Sequence, residues 1–181
     1  MAYNEIMGKT SAEWWSDVKS DSKLFDDWLV KQYRGESTAA ARILAFIDRF
    51  VIDDDVKARL ALIAEQERRH AMWIKALLRK REIEPSVTDA ETRYWRETLP
   101  AIDSFNTGAA VAAHAEAMRL ERIHTIVDDV TAPVDVREVF KLILIDEIEH
   151  ERTFRDLAGQ HALDMTANSH ERGRAALGLE V

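Results

Sequence analysis

Apolar side chains recur every three or four residues in four long segments of this chain, which is the spacing of one face of an α-helix. Asp21 or Ser22 can cap the first of these helices, and Asp135 is the predicted cap of the fourth. The segments cover about residues 22–50, 55–80, 106–130 and 135–158. The pattern therefore predicts four long α-helices.

A short helix is predicted before the first long one. Thr10 and Glu13 have the spacing of a capping box, so a helix over about residues 11–20 would carry Trp14 and Trp15. The large apolar surface of this tryptophan pair suits two arrangements. It can pack over the end of a bundle, or it can form part of a subunit interface, where aromatic residues are enriched.

A long connection is predicted between the second and third long helices. It opens at Pro85 and spans about 25 residues, more than an antiparallel turn requires. Thr88 and Glu91 again have capping-box spacing, which indicates a short helix inside the connection that ends near Leu99. At the other end of the chain, the tail after Gly159 has room for one further short helix.

The length of 181 residues is most simply that of a single domain, which we assign to residues 1–181. Its core would be the bundle at about 22–158, with the tryptophan-containing helix at about 11–20 and a tail at 159–181. Only 6 glycines and 3 prolines are present, and no alternating run is bounded by hairpin turns. The fold class is therefore predicted to be all-α.

Composition excludes several classes of function. The formal net charge of −8 argues against a general nucleic-acid-binding protein, which needs a basic face. The chain contains no cysteine, so any metal must be held by oxygen and imidazole ligands. No apolar stretch is long enough for a membrane span, and the first residues do not resemble a signal peptide, so we expect no membrane partner and a cytoplasmic location.

Two segments repeat one pattern of buried-face acids and histidines. Glu67 and His70 interrupt the apolar stripe of the second long helix, and Glu147 and His150 interrupt that of the fourth. At a spacing of three residues, each pair projects from one helix face. The first and third helices each place a single acid on the inner stripe, and the separation from that acid to the next Glu is the same in both halves: 67 − 36 = 31 for Glu36 and 147 − 116 = 31 for Glu116.

This arrangement predicts a metal centre inside the bundle. Two helical hairpins of the same design would bring four Glu and two His to one level, which is the ligand set of dinuclear carboxylate bundles. Two divalent cations would balance four carboxylates, whereas a purely structural bundle would leave unbalanced buried charge. Oxygen-rich ligation with one imidazole per metal favours iron or manganese. A third Glu-x-x-His pair, Glu121 with His124, is interpreted as a surface feature or as part of the surroundings of the ligands, because Glu121 faces away from Glu116.

Three residues are candidates for the surroundings of the ligands. Asp146 can reach the ring N–H of His70 on the neighbouring helix and orient it, and Gln66 occupies the equivalent place before Glu67. The alternative for both is an ordinary interhelical contact or an exposed polar group. Tyr33 lies one turn before Glu36, where it can hydrogen-bond a ligand, relay an electron or simply pack in the core.

With these positions in place, the chain resembles the ferritin-like superfamily, most closely the rubrerythrin and bacterioferritin type of di-iron carboxylate protein. The resemblance covers about residues 22–158 and rests on the two Glu-x-x-His motifs and the two single acids. It implies an antiparallel four-helix bundle with a long crossover between helices two and three. It also implies that the ligands of two iron ions are Glu36, Glu67, His70, Glu116, Glu147 and His150.

The resemblance further implies a redox function. We expect a di-iron oxidoreductase that reduces dioxygen or hydrogen peroxide, as a ferroxidase using ferrous iron or as a peroxidase using an external electron donor, with manganese an alternative metal at one or both positions. A homo-oligomer, with a dimer favoured, is the expected assembly. An iron-storage protein of a larger assembly and an oxygenase acting on an organic substrate are the alternatives. The family often has a further Glu three residues after the helix-three ligand, where this chain has Arg119.

Overall fold

The computed structural model describes residues 8–85 and 93–180. Most of these residues lie in six α-helices, and a short 3-10 turn at Leu99–Ala101 follows the fourth. The helices are α1 (Ser11–Ser20), α2 (Ser22–Phe50), α3 (Asp54–Arg79), α4 (Arg93–Thr98), α5 (Phe105–Asp128) and α6 (Val134–Ala176). The predicted all-α fold is confirmed, and the long helices lie within a few residues of their predicted bounds, except that α6 continues past its predicted end near residue 158 to Ala176.

Side-chain caps fix most of these helix starts. Thr10 and Glu13 form the predicted capping box of α1. The Asp21 carboxylate accepts the backbone N–H of Leu24 at the start of α2, and Asp53 does the same for Val56 in α3. Each acid satisfies an otherwise unpaired N–H and lies at the positive end of the helix dipole. The capping box expected at Thr88 and Glu91 lies outside the described residues.

The prediction that Asp135 caps the fourth long helix was wrong. The helix begins at Val134, with Pro133 in the N-cap position and no side-chain cap. Asp135 lies inside the first turn, where its carboxylate accepts hydrogen bonds from the guanidinium of Arg81 at 3.2 and 3.3 Å. A proline can open a helix because its missing N–H would be unpaired there anyway. Asp135 therefore joins the first turn of α6, where it also accepts the backbone N–H of Val136 at 2.9 Å, to the turn that follows α3.

The long helices form two hairpins, α2 with α3 and α5 with α6, and α3 also contacts α6. The connection between the hairpins contains α4, which packs on α6. This is the ferritin-like bundle with its long crossover. Gly159 interrupts α6 at φ 72° and ψ 156°, a conformation that is essentially restricted to glycine. The core helix thus ends at Ala158, and the tail continues as a further helical segment to Ala176.

The bundle core consists of two apolar clusters with a polar layer between them. One cluster contains Leu29, Ile74 and Phe140, together with the tryptophan region at that end of the bundle. The other contains many alanines, including Ala64 and Ala113, which allow the helix backbones to approach closely. Each long helix contributes residues to both clusters, and the buried acids and histidines lie between these two sets of residues.

The tryptophan helix packs over one end of the bundle. Trp15 is 3% exposed, its ring centroid lies 5.1 Å from that of Trp28, and its Nε1 donates to Asp129 at 2.8 Å. Lys19 also binds Asp129, at 2.5 Å. Of the two arrangements open for this segment, the structure therefore favours packing within the chain.

Candidate metal centre

The four long helices each contribute to one buried polar layer. Glu36 of α2, Glu67 and His70 of α3, and Glu147 and His150 of α6 are all at most 2% exposed. Glu116 of α5 is partly buried. Helix periodicity explains the arrangement, since each of these residues continues the inward-facing stripe of its own helix.

The six side chains form two overlapping groups of potential ligands. One group contains Glu36, Glu67, His70 and Glu147, and we call it the Glu36 group. The other, the Glu116 group, contains Glu67, Glu116, Glu147 and His150. Within each group one ligand atom from every residue lies within 4.8 Å of the others. Because Glu67 and Glu147 belong to both groups, each has the position required of a carboxylate that spans two adjacent cations.

Both histidines turn the same ring nitrogen toward the acids. Nδ1 of His70 lies 3.5 Å from Glu36 and 3.4 Å from Glu147, and Nδ1 of His150 lies 3.2 Å from Glu67 and 3.3 Å from Glu147. The other ring nitrogen of each histidine, Nε2, hydrogen-bonds to a residue outside the ligand layer. An imidazole held through one nitrogen presents the other as a ligand atom.

A network of hydrogen bonds joins the outer sides of the two imidazoles. Nε2 of His70 donates to Oδ2 of Asp146 at 2.9 Å, and Nε2 of His150 donates to Oε1 of Gln66 at 3.0 Å. The Gln66 amide in turn donates to Asp146 at 3.1 Å, and Arg69 binds the same carboxylate at 2.6 Å. Each histidine is therefore oriented by the residue that precedes the motif Glu of the other hairpin.

Crowding of acids shifts the protonation of this layer. Burial raises the pKa of Glu116 well above its ordinary value, and the charges of Glu147 and Glu67 raise it further. Burial would also raise the pKa of Glu147, but Arg119, His150 and His70 outweigh it and hold this pKa well below the usual range. Burial lowers the pKa of His70, yet its contacts with Glu147 and Asp146 produce a net rise. Protons and one guanidinium thus balance part of the acidic charge.

The ligand atoms themselves lack well-directed partners. Among the described residues, several buried side-chain atoms of this layer accept no hydrogen bond of ordinary geometry, and burying such atoms without compensation is costly. They are both carboxylate oxygens of Glu36 and of Glu147, Oε2 of Glu67, and Nδ1 of His70 and of His150. Oxygen and imidazole donors that converge in this way fit a dinuclear centre of iron or manganese.

Arg119 is the residue of this layer that spacing did not identify as part of the site. It lies on α5, one turn after Glu116, and its side chain is 20% exposed. Its Nη2 contacts Oε1 of Glu36, and its Nε lies 2.9 Å from Oε1 of Glu147. A helical wheel places this residue beside the inner stripe, but only the structure shows the long side chain turning inward.

Two other sequence candidates lie outside the ligand layer. Tyr33 packs against the apolar cluster around Leu29, and within the described residues its hydroxyl makes no hydrogen bond. The Lys75 ammonium lies 5.9 Å from the centre of its ring. Glu121 is exposed and binds Arg174 at 3.0 Å, while His124 is exposed, as expected of a surface pair.

A second polar cluster connects the crossover to the tail. Burial raises the pKa of Tyr94, helped by the charge of Glu116, and its hydroxyl donates to Nδ1 of His170 at 2.9 Å. Burial and the positive charges of His114 and Arg174 lower the pKa of His170 to about 4. The His114 and His170 rings stack with centroids 4.7 Å apart. Sequence periodicity gave no signal for this cluster, because it joins α5 to the crossover helix and to the tail beyond Gly159.

A four-helix bundle with a buried layer of four Glu and two His defines the ferritin-like carboxylate class. The rubrerythrin family model matches residues 27–158, and the chain belongs to that family. Neither a search of curated proteins nor a search of solved structures finds a match. Within the described residues, every helix is too short or too polar to cross a membrane.

Proposed function

We propose that this protein is a di-iron oxidoreductase that reduces dioxygen or hydrogen peroxide. The observation that carries the proposal is the pair of overlapping ligand groups with Glu67 and Glu147 in common. Two cations that share two carboxylates lie close enough to act on one small molecule together. Membership of the rubrerythrin family supports the same chemistry.

The residues of the two groups would hold the metals in distinct ways. Glu36 and His70 would bind one ion, Glu116 and His150 the other, and Glu67 and Glu147 both. When bound, the iron pair supplies two electrons for the reduction of the oxidant. The apolar clusters on either side of the layer keep bulk water from the ligands, which strengthens the electrostatic interactions inside it.

The chain itself supplies groups that hold protons for such a reduction. The raised pKa of Glu116 favours a proton on its carboxylate in the metal-free protein, and metal binding would release it. Asp146 and Gln66 would keep Nε2 of each histidine protonated and so direct Nδ1 to the metals.

The electrons that return the iron pair to its reduced state must come from outside the bundle. The chain has no cysteine, so it carries no thiolate-bound redox centre. Ferrous iron as substrate would make the protein a ferroxidase, and an external reductant would make it a peroxidase. A storage role would require a larger assembly, and native mass spectrometry separates it from a small oligomer.

Metal content and optical spectra test this proposal. Protein purified without chelator and loaded anaerobically with Fe²⁺ should bind about two iron ions per chain. Addition of oxygen or peroxide should produce an oxo-bridge absorption that disappears on reduction and returns with fresh oxidant. Glu67→Ala and Glu147→Ala should each lose both ions, because each removes a residue common to the two groups.

Matched controls remove an exposed acid from the same helices. Glu65→Ala on α3 and Glu149→Ala on α6 make the same chemical change outside the layer, so iron content should stay at the wild-type value. Wild-type protein with less than about half an ion per chain, or with iron content unaffected by Glu67→Ala and Glu147→Ala, would contradict the proposal.

A further inference from the structure

Arg119 brings a permanent positive charge to only one of the two ligand groups. Its ion pairs within the described residues are with Glu36 and Glu147. Glu36 belongs to the Glu36 group alone, and the Arg119 contact on Glu147 is to Oε1, the oxygen that also faces His70 at 3.4 Å. The Glu147 oxygen facing His150 is the other one, Oε2. The guanidinium therefore lies on the Glu36 side of the layer.

A cation in the Glu36 group would compete with this guanidinium. Arg119 uses Oε1 of both acids, whereas an ion beside His70 would use Oε1 of Glu147 and the Glu36 carboxylate, whose Oε2 faces His70 at 3.5 Å. A divalent ion and a guanidinium that share these two carboxylates repel one another. The guanidinium of arginine does not lose its charge near neutral pH, so it must move for the ion to bind.

The charge balance makes the two ions unequal. Once the incoming metal has displaced the proton of Glu116, the four carboxylates and Arg119 have a formal charge of −4 + 1 = −3. One divalent ion in the Glu116 group leaves −3 + 2 = −1, so the second ion enters a nearly neutral layer. Arg122, one turn further along α5, is near enough for its charge and that of Arg119 to repel each other, while the neighbouring Arg174 is paired with Glu121 at 3.0 Å.

We propose that Arg119 is an internal cation that makes the two metal positions inequivalent: the first ion binds the Glu116 group, and the second enters the Glu36 group only by displacing the guanidinium. This inference rests on the proposed metal centre. Arg119 acts here as a positioning residue that sets the order and relative affinity of loading.

Calorimetric titration of metal-free protein with Mn²⁺ under argon tests the order of loading. Wild-type protein should show two steps whose affinities differ by at least about tenfold. Arg119→Met keeps much of the side-chain length without the charge, so its second step should tighten at least about tenfold and approach the first. Arg119→Lys keeps a charge and should lie between the two.

Three further variants keep the test decisive. Glu36→Gln should abolish the second step and leave the first, whereas Glu116→Gln should abolish the first. Arg68→Met removes an exposed arginine that pairs with Glu65 on its own helix, so its titration should match the wild type. If Arg119→Met does not fold, the Glu36 and Glu116 variants still show which ligand group binds the first ion.

Distinct results separate this inference from the proposed function. Two steps whose ratio is unchanged in Arg119→Met, or a first step that depends on Glu36 and not on Glu116, would overturn the role of Arg119 while the metal centre stands. Absence of Mn²⁺ and Fe²⁺ binding in wild type and variants alike would overturn the metal centre itself.

Discussion

Replacement of Asp146 by asparagine shows how much the outer hydrogen bond of His70 contributes to metal binding. Oδ2 of Asp146 accepts from Nε2 of His70 at 2.9 Å, and its carboxylate is 15% exposed. Asparagine has nearly the same size and retains an oxygen that accepts the same hydrogen bond. The change therefore removes one negative charge and one acceptor oxygen, so the contacts of Asp146 with Arg69 and Gln66 weaken as well, while the apolar packing of α3 against α6 stays in place.

The size of the effect follows from the kind of hydrogen bond. A bond to an ionised group contributes about 1.5–3 kcal/mol, and a neutral one about 0.5–1.5 kcal/mol. The difference of about 1–1.5 kcal/mol corresponds to roughly tenfold in affinity. We expect Asp146→Asn to weaken the ion bound by His70 about tenfold and the ion bound by His150 less than about threefold.

Titration of metal-free protein with Mn²⁺ at pH 7 measures both affinities. Asp156→Asn makes the same substitution at an exposed position of α6 and should change neither step. Gln66→Met removes the acceptor of His150 and should weaken the other ion instead. Equal losses at both positions in Asp146→Asn, or no loss at all, would refute the assignment of each histidine to its own outer partner.

Three further predictions concern the stability of the fold. His170 stays neutral in the folded protein down to about pH 4, whereas it titrates near 6.5 when unfolded, so folding stability should fall as the pH drops between these values. The free energy of unfolding should fall by at most about 2 kcal/mol from pH 7 to pH 5, and by nearer 1 kcal/mol because the His170 ring is partly exposed. Urea unfolding at the two pH values should show a smaller fall in His170→Gln. Gly159→Ala forces a side chain into a conformation that glycine alone tolerates, so it should cost about 1–3 kcal/mol in the same assay, and an unchanged midpoint would contradict the break in α6. Loading with Mn²⁺ to about 100 times the dissociation constant should stabilise the protein by about 2.7 kcal/mol, and chelation should reverse the gain, as seen by calorimetric melting.

The helices were predictable because each has a complete apolar stripe and, in most cases, a capping acid or hydroxyl. The two Glu-x-x-His motifs were visible for the same reason, since they interrupt stripes that would otherwise be continuous. The equal separations from Glu36 and from Glu116 to the following motif then related the two hairpins. Periodicity alone thus identified the residues that the fold brings to one level.

Periodicity could not predict where long or isolated side chains turn. Arg119 lies beside the inner stripe, and its direction depends on the acids that it meets from α2 and α6. Asp135 looked like a cap, but its carboxylate also binds Arg81, which lies two residues after the end of α3. The stack of His114 on His170 depends on how the tail returns past the bundle after Gly159, which no local pattern encodes.

Each histidine is oriented by a residue of the other hairpin, and this has a consequence for how the protein folds. His70 is oriented by a residue 76 positions away and His150 by one 84 positions away, each on the opposite hairpin. A hairpin that forms early therefore has acids and an imidazole but no oriented site, and strong metal binding begins only after the two hairpins dock. If the proposed metal centre is loaded, we expect the metal to stabilise the native state but not a transition state in which docking is incomplete, so that unfolding slows and the folding rate stays unchanged. Ions bound at this centre would therefore slow the unfolding of a bundle that can assemble without them.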